Sequence, residues 1–130
     1  MSEHTYREAI AMALADEMEA DPDVFCLGED IGAAGGVFKT TEGLFERFGP
    51  DRVRDTPISE QAIVGAALGA AVAGQRPVAE IMFADFVGVA FDQIANQVAK
   101  YRYMSGGQAP VPLTIRMATG AGLGFAAQHS

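Results

Sequence analysis

The 130-residue sequence predicts an α/β fold, a mainly parallel sheet covered by helices on both faces. Three observations lead there. Short apolar runs begin near residues 24, 52, 78 and 111, and segments of helical periodicity separate the later ones, as in βαβ units. Glycine and proline punctuate the joins: Gly28, Gly49-Pro50, Gly74 with Pro77, and Gly106-Gly107. Composition is ordinary for a folded domain, with 49% hydrophobic and 20% charged residues, which excludes a disordered tail.

The elements follow in order. Thr5 and Glu8 match a capping box, and Tyr6, Ile10, Ala13, Leu14 and Met18 recur at helical spacing until Asp21-Pro22-Asp23 stops the run. Val24 to Leu27 reads as a buried strand, and Gly28 to Gly36 as a glycine-rich loop. A short helix is expected from about Thr41 to Phe48, then a half-polar strand from Arg52 to Asp55. Ser59 is placed as the cap of a helix from Glu60 to about Ala73. That helix has no polar face beyond Glu60 and Gln61, so burial nearly all round is expected. Its small residues Gly65, Gly69 and Ala73 form one stripe, open to a close helix contact within the chain or across chains. Val78 to Phe83 is a third strand, Asp85 the expected cap of a long helix ending near Tyr103, and Val111 to Arg116 a fourth strand. The sequence stops at Gln128-His129-Ser130 before a returning helix, so residues 1–130 are expected to be one domain, incomplete at its C-terminal end, of a longer polypeptide.

Nine Lys and Arg against seventeen Asp and Glu give a net charge of −8, which disfavours nucleic acid and anionic membrane as partners. The apolar run from Ile63 to Gly74 is too short for the roughly 20 residues of a bilayer span. The N-terminus carries no signal or transit pattern, and cytoplasmic residence is expected. Cys26, the single cysteine, sits in an apolar run and reads as a small buried hydrophobe.

In open parallel sheets ligands bind beyond the carboxyl ends of the strands, here residues 28–36, 56–60, 84–86 and 118–130. Glu60 falls in the first turn of an apolar helix. Spacing alone favours a carboxylate that simply complements the helix dipole, worth about 0.3–1 kcal/mol, over an acid aimed at a ligand. Phe83 and Phe86 bracket the next turn, with core packing the default and stacking on a flat heterocycle the alternative. His129 lies in a glycine-rich loop, where a proton-shuttling imidazole and an incidental surface residue are equally open. Other chemistries lack their motifs. Gly120 to Gly124 reads GxGxG rather than the dinucleotide GxGxxG, and there is no phosphate-loop GK[ST] or GxSxG elbow. Two histidines and one cysteine give no zinc-ligand spacing.

Seven segments occur in order that together carry a resemblance. They are Thr56-Pro-Ile-Ser-Glu60, Val64-Gly-Ala-Ala, Arg76-Pro-Val, Phe83-Ala-Asp-Phe86, Asp92-Gln-Ile, Tyr103-Met-Ser-Gly-Gly107 and Ala126-Ala-Gln-His-Ser130. The sequence resembles the beta subunit of thiamine-diphosphate-dependent 2-oxo acid dehydrogenases of the pyruvate, branched-chain and acetoin types. Each motif is weak alone; seven in register are specific. The resemblance runs from about Thr5 to Ser130 and covers most of the transketolase-like pyrimidine-binding domain.

The resemblance implies a thiamine diphosphate shared between an alpha and a beta chain, used to decarboxylate a 2-oxo acid and pass the acyl group to a lipoyl arm. Glu60 matches the family glutamate that hydrogen-bonds the aminopyrimidine ring nitrogen. Phe86 matches the aromatic packed on the pyrimidine, with Ile58 and Met82 at apolar wall positions. His129 matches the histidine near the reacting carbon, serving proton transfer or acyl handling. Leu113 matches a position whose backbone carbonyl binds a structural potassium ion in some relatives. Relatives hold the diphosphate and magnesium with a GDG motif that this sequence lacks. The implied partners are therefore an alpha chain that carries the magnesium, in an alpha2-beta2 heterotetramer, and a lipoyl-bearing acyltransferase core.

Pyruvate is the favoured substrate. Acetoin follows closely, because the stretch from Arg116-Met117 to Gly122 resembles that subgroup's loop, and branched-chain 2-oxo acids come next. A single-chain transketolase or sugar-phosphate synthase needs its GDG segment upstream of the glutamate, and only 59 residues precede Glu60. A non-catalytic assembly module is the rival of another class, opposed by the joint presence of Glu60, Phe86 and His129.

Overall fold

A computed structural model describes residues 3–122, 124, 125 and 127–130. Four parallel strands form one sheet in the order β2-β1-β3-β4: β1 (Val24–Gly28), β2 (Val53–Asp55), β3 (Arg76–Phe83) and β4 (Thr114–Ala118). Around it lie α1 (Tyr6–Ala20), α2 (Leu44–Phe48), α3 (Glu60–Val72), α4 (Val87–Asp92) and α5 (Ala99–Met104). The expected α/β architecture is present, and alternation along β1 shows why both faces are covered. Phe25 and Leu27 pack with Ile63, Val64 and Ala67 of α3 and Ala90 of α4. Val24 and Cys26 point the other way, onto Leu14 and Met18 of α1 and Leu44 of α2. Among the described residues no helix is long and apolar enough to cross a membrane.

The capping box at Thr5 forms as expected, the Glu8 N–H donating to Thr5 Oγ1 and the Thr5 N–H to Glu8 Oε2. Cys26 is buried with its sulfur 3.9 Å from Met18 Sδ, and burial pushes its thiol up to about 11. It is the inert hydrophobe expected of it.

Several elements depart from the sequence reading. The second helix starts at Leu44, not Thr41, because Thr41 turns inward and donates from Oγ1 to Ile31 O at 2.8 Å, which fastens the glycine-rich loop. Helix α3 buries Glu60, Ile63, Val64, Ala67, Leu68 and Ala71 on one side, whereas Ala62, Ala66, Gly69 and Ala73 are exposed. Its apolar composition thus serves two surfaces, one of them uncovered in the single chain. Within the stripe, a Cβ at Gly65 would meet Gln93 Oε1 at 3.4 Å, while one at Gly69 would meet nothing within 4 Å. Ser59 does not cap α3; its hydroxyl donates to Pro57 O instead.

The long helix expected after Asp85 is three segments in line, α4, a π-helical stretch from Gln93 to Val98, and α5, entered through a 3₁₀ turn, Ala84–Phe86. Asp85 caps none of them. Its carboxylate is taken by Ser130. The fourth strand begins at Thr114 rather than Val111, since the Leu113 N–H turns back to Val111 O at 2.9 Å.

Candidate functional site

Chain direction in the sheet reverses at β1. From β1 the chain steps outward to β2, then returns across β1 to β3 on its other side. The carboxyl ends of β1 and β3 therefore flank a topological switch point, where connecting loops diverge and leave a crevice. Four segments converge on this end: the turn after β1 (Glu29), the β2–α3 loop (Thr56 to Ser59), the turn after β3 (Phe83 to Phe86) and the chain end around His129.

Glu60 opens α3 and is only 7% exposed. Among the described residues its carboxyl has no hydrogen-bond or salt-bridge partner, and its oxygens keep some solvent contact at the mouth of a recess. It lines a recess of about 630 Å³ with Ile58, Ser59, Gln61, Ala62, Gly65, Ala66, Val89 and Gln93. Ile58 is 82% exposed and stands as an apolar wall at the rim. The π-helical stretch begins at Gln93 and sets that residue's amide against Gly65. Such insertions re-aim side chains and recur at functional sites. Close by, the Thr56 hydroxyl is buried with no hydrogen-bond partner among the described residues.

Glu29 was not singled out in the sequence. Burial first, then the like charges of Glu60 and Asp30, push its carboxyl above the ordinary carboxylate range, while the Ser59 N–H pulls the other way. A second acid therefore shares the field of Glu60. The signal that could have found it is its position directly after β1, at the switch point.

A second grouping gathers aromatic rings. Phe83, buried at the end of β3, makes edge-to-face contacts with Phe38 (centroids 5.4 Å apart), Phe86 (5.8 Å) and His129 (4.6 Å). His129 also meets Phe86 edge-on at 5.5 Å. Phe86 reaches the cluster of α3, α4 and the sheet, so both readings of this residue, core packing and an available ring, have a place. Phe38 arrives from the glycine-rich loop. That loop is tied to the sheet by Arg116, which donates to Thr40 Oγ1 at 2.7 Å and to Glu80 Oε2 at 2.6 Å. Burial pushes the Glu80 carboxyl up, and Arg116 opposes this.

The structure thus brings Glu60 together with Ile58, and Phe86 together with His129. No hydrogen bond or ring contact among the described residues joins the two groupings. Met82 is half-buried on β3, one residue before Phe83, and Leu113 packs against the same cluster as Phe86 just ahead of β4. Among the described residues no three His, Cys, Asp or Glu side chains gather as a metal cluster.

Comparisons with known proteins place the chain in a family. The chain matches the transketolase pyrimidine-binding domain over residues 2–130 and belongs to that family. More particularly, it is 54% identical to the acetoin:2,6-dichlorophenolindophenol oxidoreductase subunit beta of Cupriavidus necator, over 94% of this chain and 39% of that protein. It is 51% identical to the pyruvate dehydrogenase E1 component subunit beta of Staphylococcus epidermidis, over 95% of this chain and 38% of that protein. With the 2-oxoisovalerate dehydrogenase subunit beta of Bacillus subtilis it shares 49% identity, over 100% of this chain and 40% of that protein. The chain therefore spans about two fifths of these relatives. Among solved structures, a split-gene transketolase, recorded as an inactive beta4 tetramer, superposes with a TM-score of 0.64 at 28% identity, covering 85% of this chain and 33% of that one.

Proposed function

We propose that this chain is the pyrimidine-binding part of the beta subunit of a 2-oxo acid dehydrogenase decarboxylating component, with thiamine diphosphate as cofactor and pyruvate as substrate. The observation that carries this reading is Glu60, a residue only 7% exposed at the opening of α3 whose carboxyl, unbonded among the described residues, faces a recess. A carboxyl so placed fits a heterocyclic ring nitrogen, because one charge-assisted hydrogen bond satisfies both groups inside an apolar recess. Bound there, the cofactor would supply the electron sink for loss of carbon dioxide. Glu60 would hold a proton at the ring nitrogen. Ile58 and Met82 would wall the ring, and Phe86 would pack on it. His129 would handle the proton or acyl group at the reacting carbon. Leu113 would offer its backbone carbonyl to a structural potassium ion.

The diphosphate and its magnesium fall to an alpha chain, in an alpha2-beta2 assembly that delivers acyl groups to a lipoyl-bearing acyltransferase core in the cytoplasm. Residues 1–130 would then be the greater part of one domain. A second reading, acetoin as substrate, is favoured by the 54% identical relative and by the loop from Arg116 to Gly122.

The test is Glu60→Gln in the full-length subunit assembled with its partner. Decarboxylation should fall by about 10²–10³-fold, the size of effect seen when one polarising group is removed, while the assembly stays intact on gel filtration. Wild-type turnover by this variant would sink the role. Running the wild-type assay with pyruvate, acetoin and 3-methyl-2-oxobutanoate ranks the substrates, and faster turnover of acetoin would replace the first choice.

A further inference from the structure

The segment that follows β4 holds His129 yet has little structure of its own. Residues 119–130 contain no helix or strand among those described, and Gly122 and Gly124 adopt φ of +98° and +75°. Such a segment samples many conformations unless something fixes it. Two hydrogen bonds do so. The Ser130 N–H donates to Asp85 Oδ2 at 2.9 Å, and the Ser130 hydroxyl donates to Asp85 Oδ1 at 2.7 Å. Among the described residues these are the hydrogen bonds that tie residues 119–130 to the rest of the chain.

Asp85 lies in the turn Ala84–Phe86, directly after β3, whose last residues pair with β4. The rings of Phe83 and Phe86 clasp the imidazole of His129 edge-on. One turn thus grips two consecutive residues, His129 through two aromatic edges and Ser130 through a two-pronged carboxylate. We propose that Asp85 is a positioning residue for His129, acting through Ser130 to aim the imidazole.

This rests on the reading of His129 as the acyl-handling histidine, and adds to it a residue which touches neither substrate nor cofactor. Both carboxylate oxygens are engaged by Ser130, so Asp85 works by placement rather than by pairing with the imidazole. The Ser130 hydroxyl and N–H, ahead of the charge of His129, hold the Asp85 carboxyl below its usual range. The latch is therefore anionic near neutral pH, where its bonds are strongest. Placement of this kind matters, since a reacting group displaced by about 1 Å loses on the order of 100-fold in rate.

The experiment uses the assembled full-length enzyme, with acyl transfer to lipoamide and carbon dioxide release measured as separate half-reactions. Asp85→Ala should slow acyl transfer about tenfold and leave carbon dioxide release within about twofold, at the low end of the positioning effect. Asp85→Asn keeps an acceptor for Ser130 and should restore most of the rate, and Ser130→Ala, which loses one prong only, should fall between. In a double-mutant cycle, Asp85→Ala added to His129→Ala should cost nothing further. Independently of turnover, modification of His129 by diethylpyrocarbonate, followed by mass spectrometry, should quicken severalfold in Asp85→Ala and stay at the wild-type rate in Asp85→Asn. Multiplicative effects in the cycle, or an unchanged labelling rate in Asp85→Ala, would overturn the proposal. If His129→Ala alone leaves acyl transfer intact, the failure belongs to the role given the histidine, and the labelling rate still decides the latch.

Discussion

Glu29 and Glu60 set two carboxyls within one another's field at the end of the sheet, and only Glu29 is answered, by a single backbone N–H from Ser59. Proteins tolerate such crowding where a ligand later relieves it. For Glu29 the consequence for stability has a definite sign. Burial and like charge raise its carboxyl above its ordinary value of 4.5. The folded state therefore binds its proton more tightly than the unfolded state does. Any stability from this group is full below that value and lost as pH rises through the folded value. Glu29→Gln removes the penalty that remains at neutral pH. The variant should melt above wild type at pH 7.5, and the difference should shrink toward zero as the buffer approaches pH 4. A thermal shift that is flat across this range would show that charge crowding is not what raises the carboxyl. Glu60 could be picked out of the sequence because an acid in the first turn of an otherwise apolar helix is conspicuous. Glu29 could not, because a Gly-Glu-Asp turn looks like any solvated loop until the strand order puts it at the switch point.

At the scale of elements, the periodic segments were the legible ones. Helix α1 and the strands β1 and β3 sit within about two residues of their expected limits, because amphipathic spacing and apolar runs are local properties. What misled were polar side chains at junctions. Ser59 and Asp85 look like caps in sequence, but each found a different partner, Pro57 O and Ser130 respectively, once the loops were in place. Arg52 is the clearest case. Read only as the polar start of a strand, it donates to Val24 O at 2.7 Å, Met18 O at 2.8 Å and Asp21 O at 3.0 Å. One guanidinium thereby meets the last carbonyls of α1 and the first of β1, with its face over Phe48. Arg52→Ala should cost about 2–3 kcal/mol in urea unfolding of the subunit, since hydrogen bonds to a charged group are worth roughly 1.5–3 kcal/mol and part-buried carbonyls lose that donor. Lysine should not rescue it, because a point charge cannot reach three acceptors in a planar fork. A loss below about 0.5 kcal/mol, the range of ordinary surface substitutions, would mean water replaces the guanidinium freely.

Over the whole molecule, the sheet has two edge strands, β2 and β4, and one site that is polar on one side only. Strand β4 is paired to β3 alone, and the apolar α3 shows small residues to solvent beside the recess that holds Glu60. The same recess offers a carboxyl and apolar walls but neither Lys nor Arg. A cleft with one acid, neutral polar groups and apolar walls suits the uncharged end of an amphiphilic cofactor, whereas a diphosphate requires cations or a metal that the recess lining does not present. With a net charge of −8 the chain adds a long-range field that repels such a tail. On the proposed reading, that mismatch of charge favours a ligand shared between two polypeptides. Calorimetry with thiamine diphosphate and magnesium should accordingly give at least a hundredfold tighter binding for the subunit co-expressed with its alpha partner than for the subunit alone, about 2.8 kcal/mol at tenfold per 1.4 kcal/mol. The subunit alone should release no carbon dioxide from pyruvate. Equal affinity in the two preparations would identify the chain as an assembly module that binds no cofactor through Glu60. Turnover by the isolated subunit would instead place a complete diphosphate grip within the beta polypeptide, and the division of the ligand would be wrong.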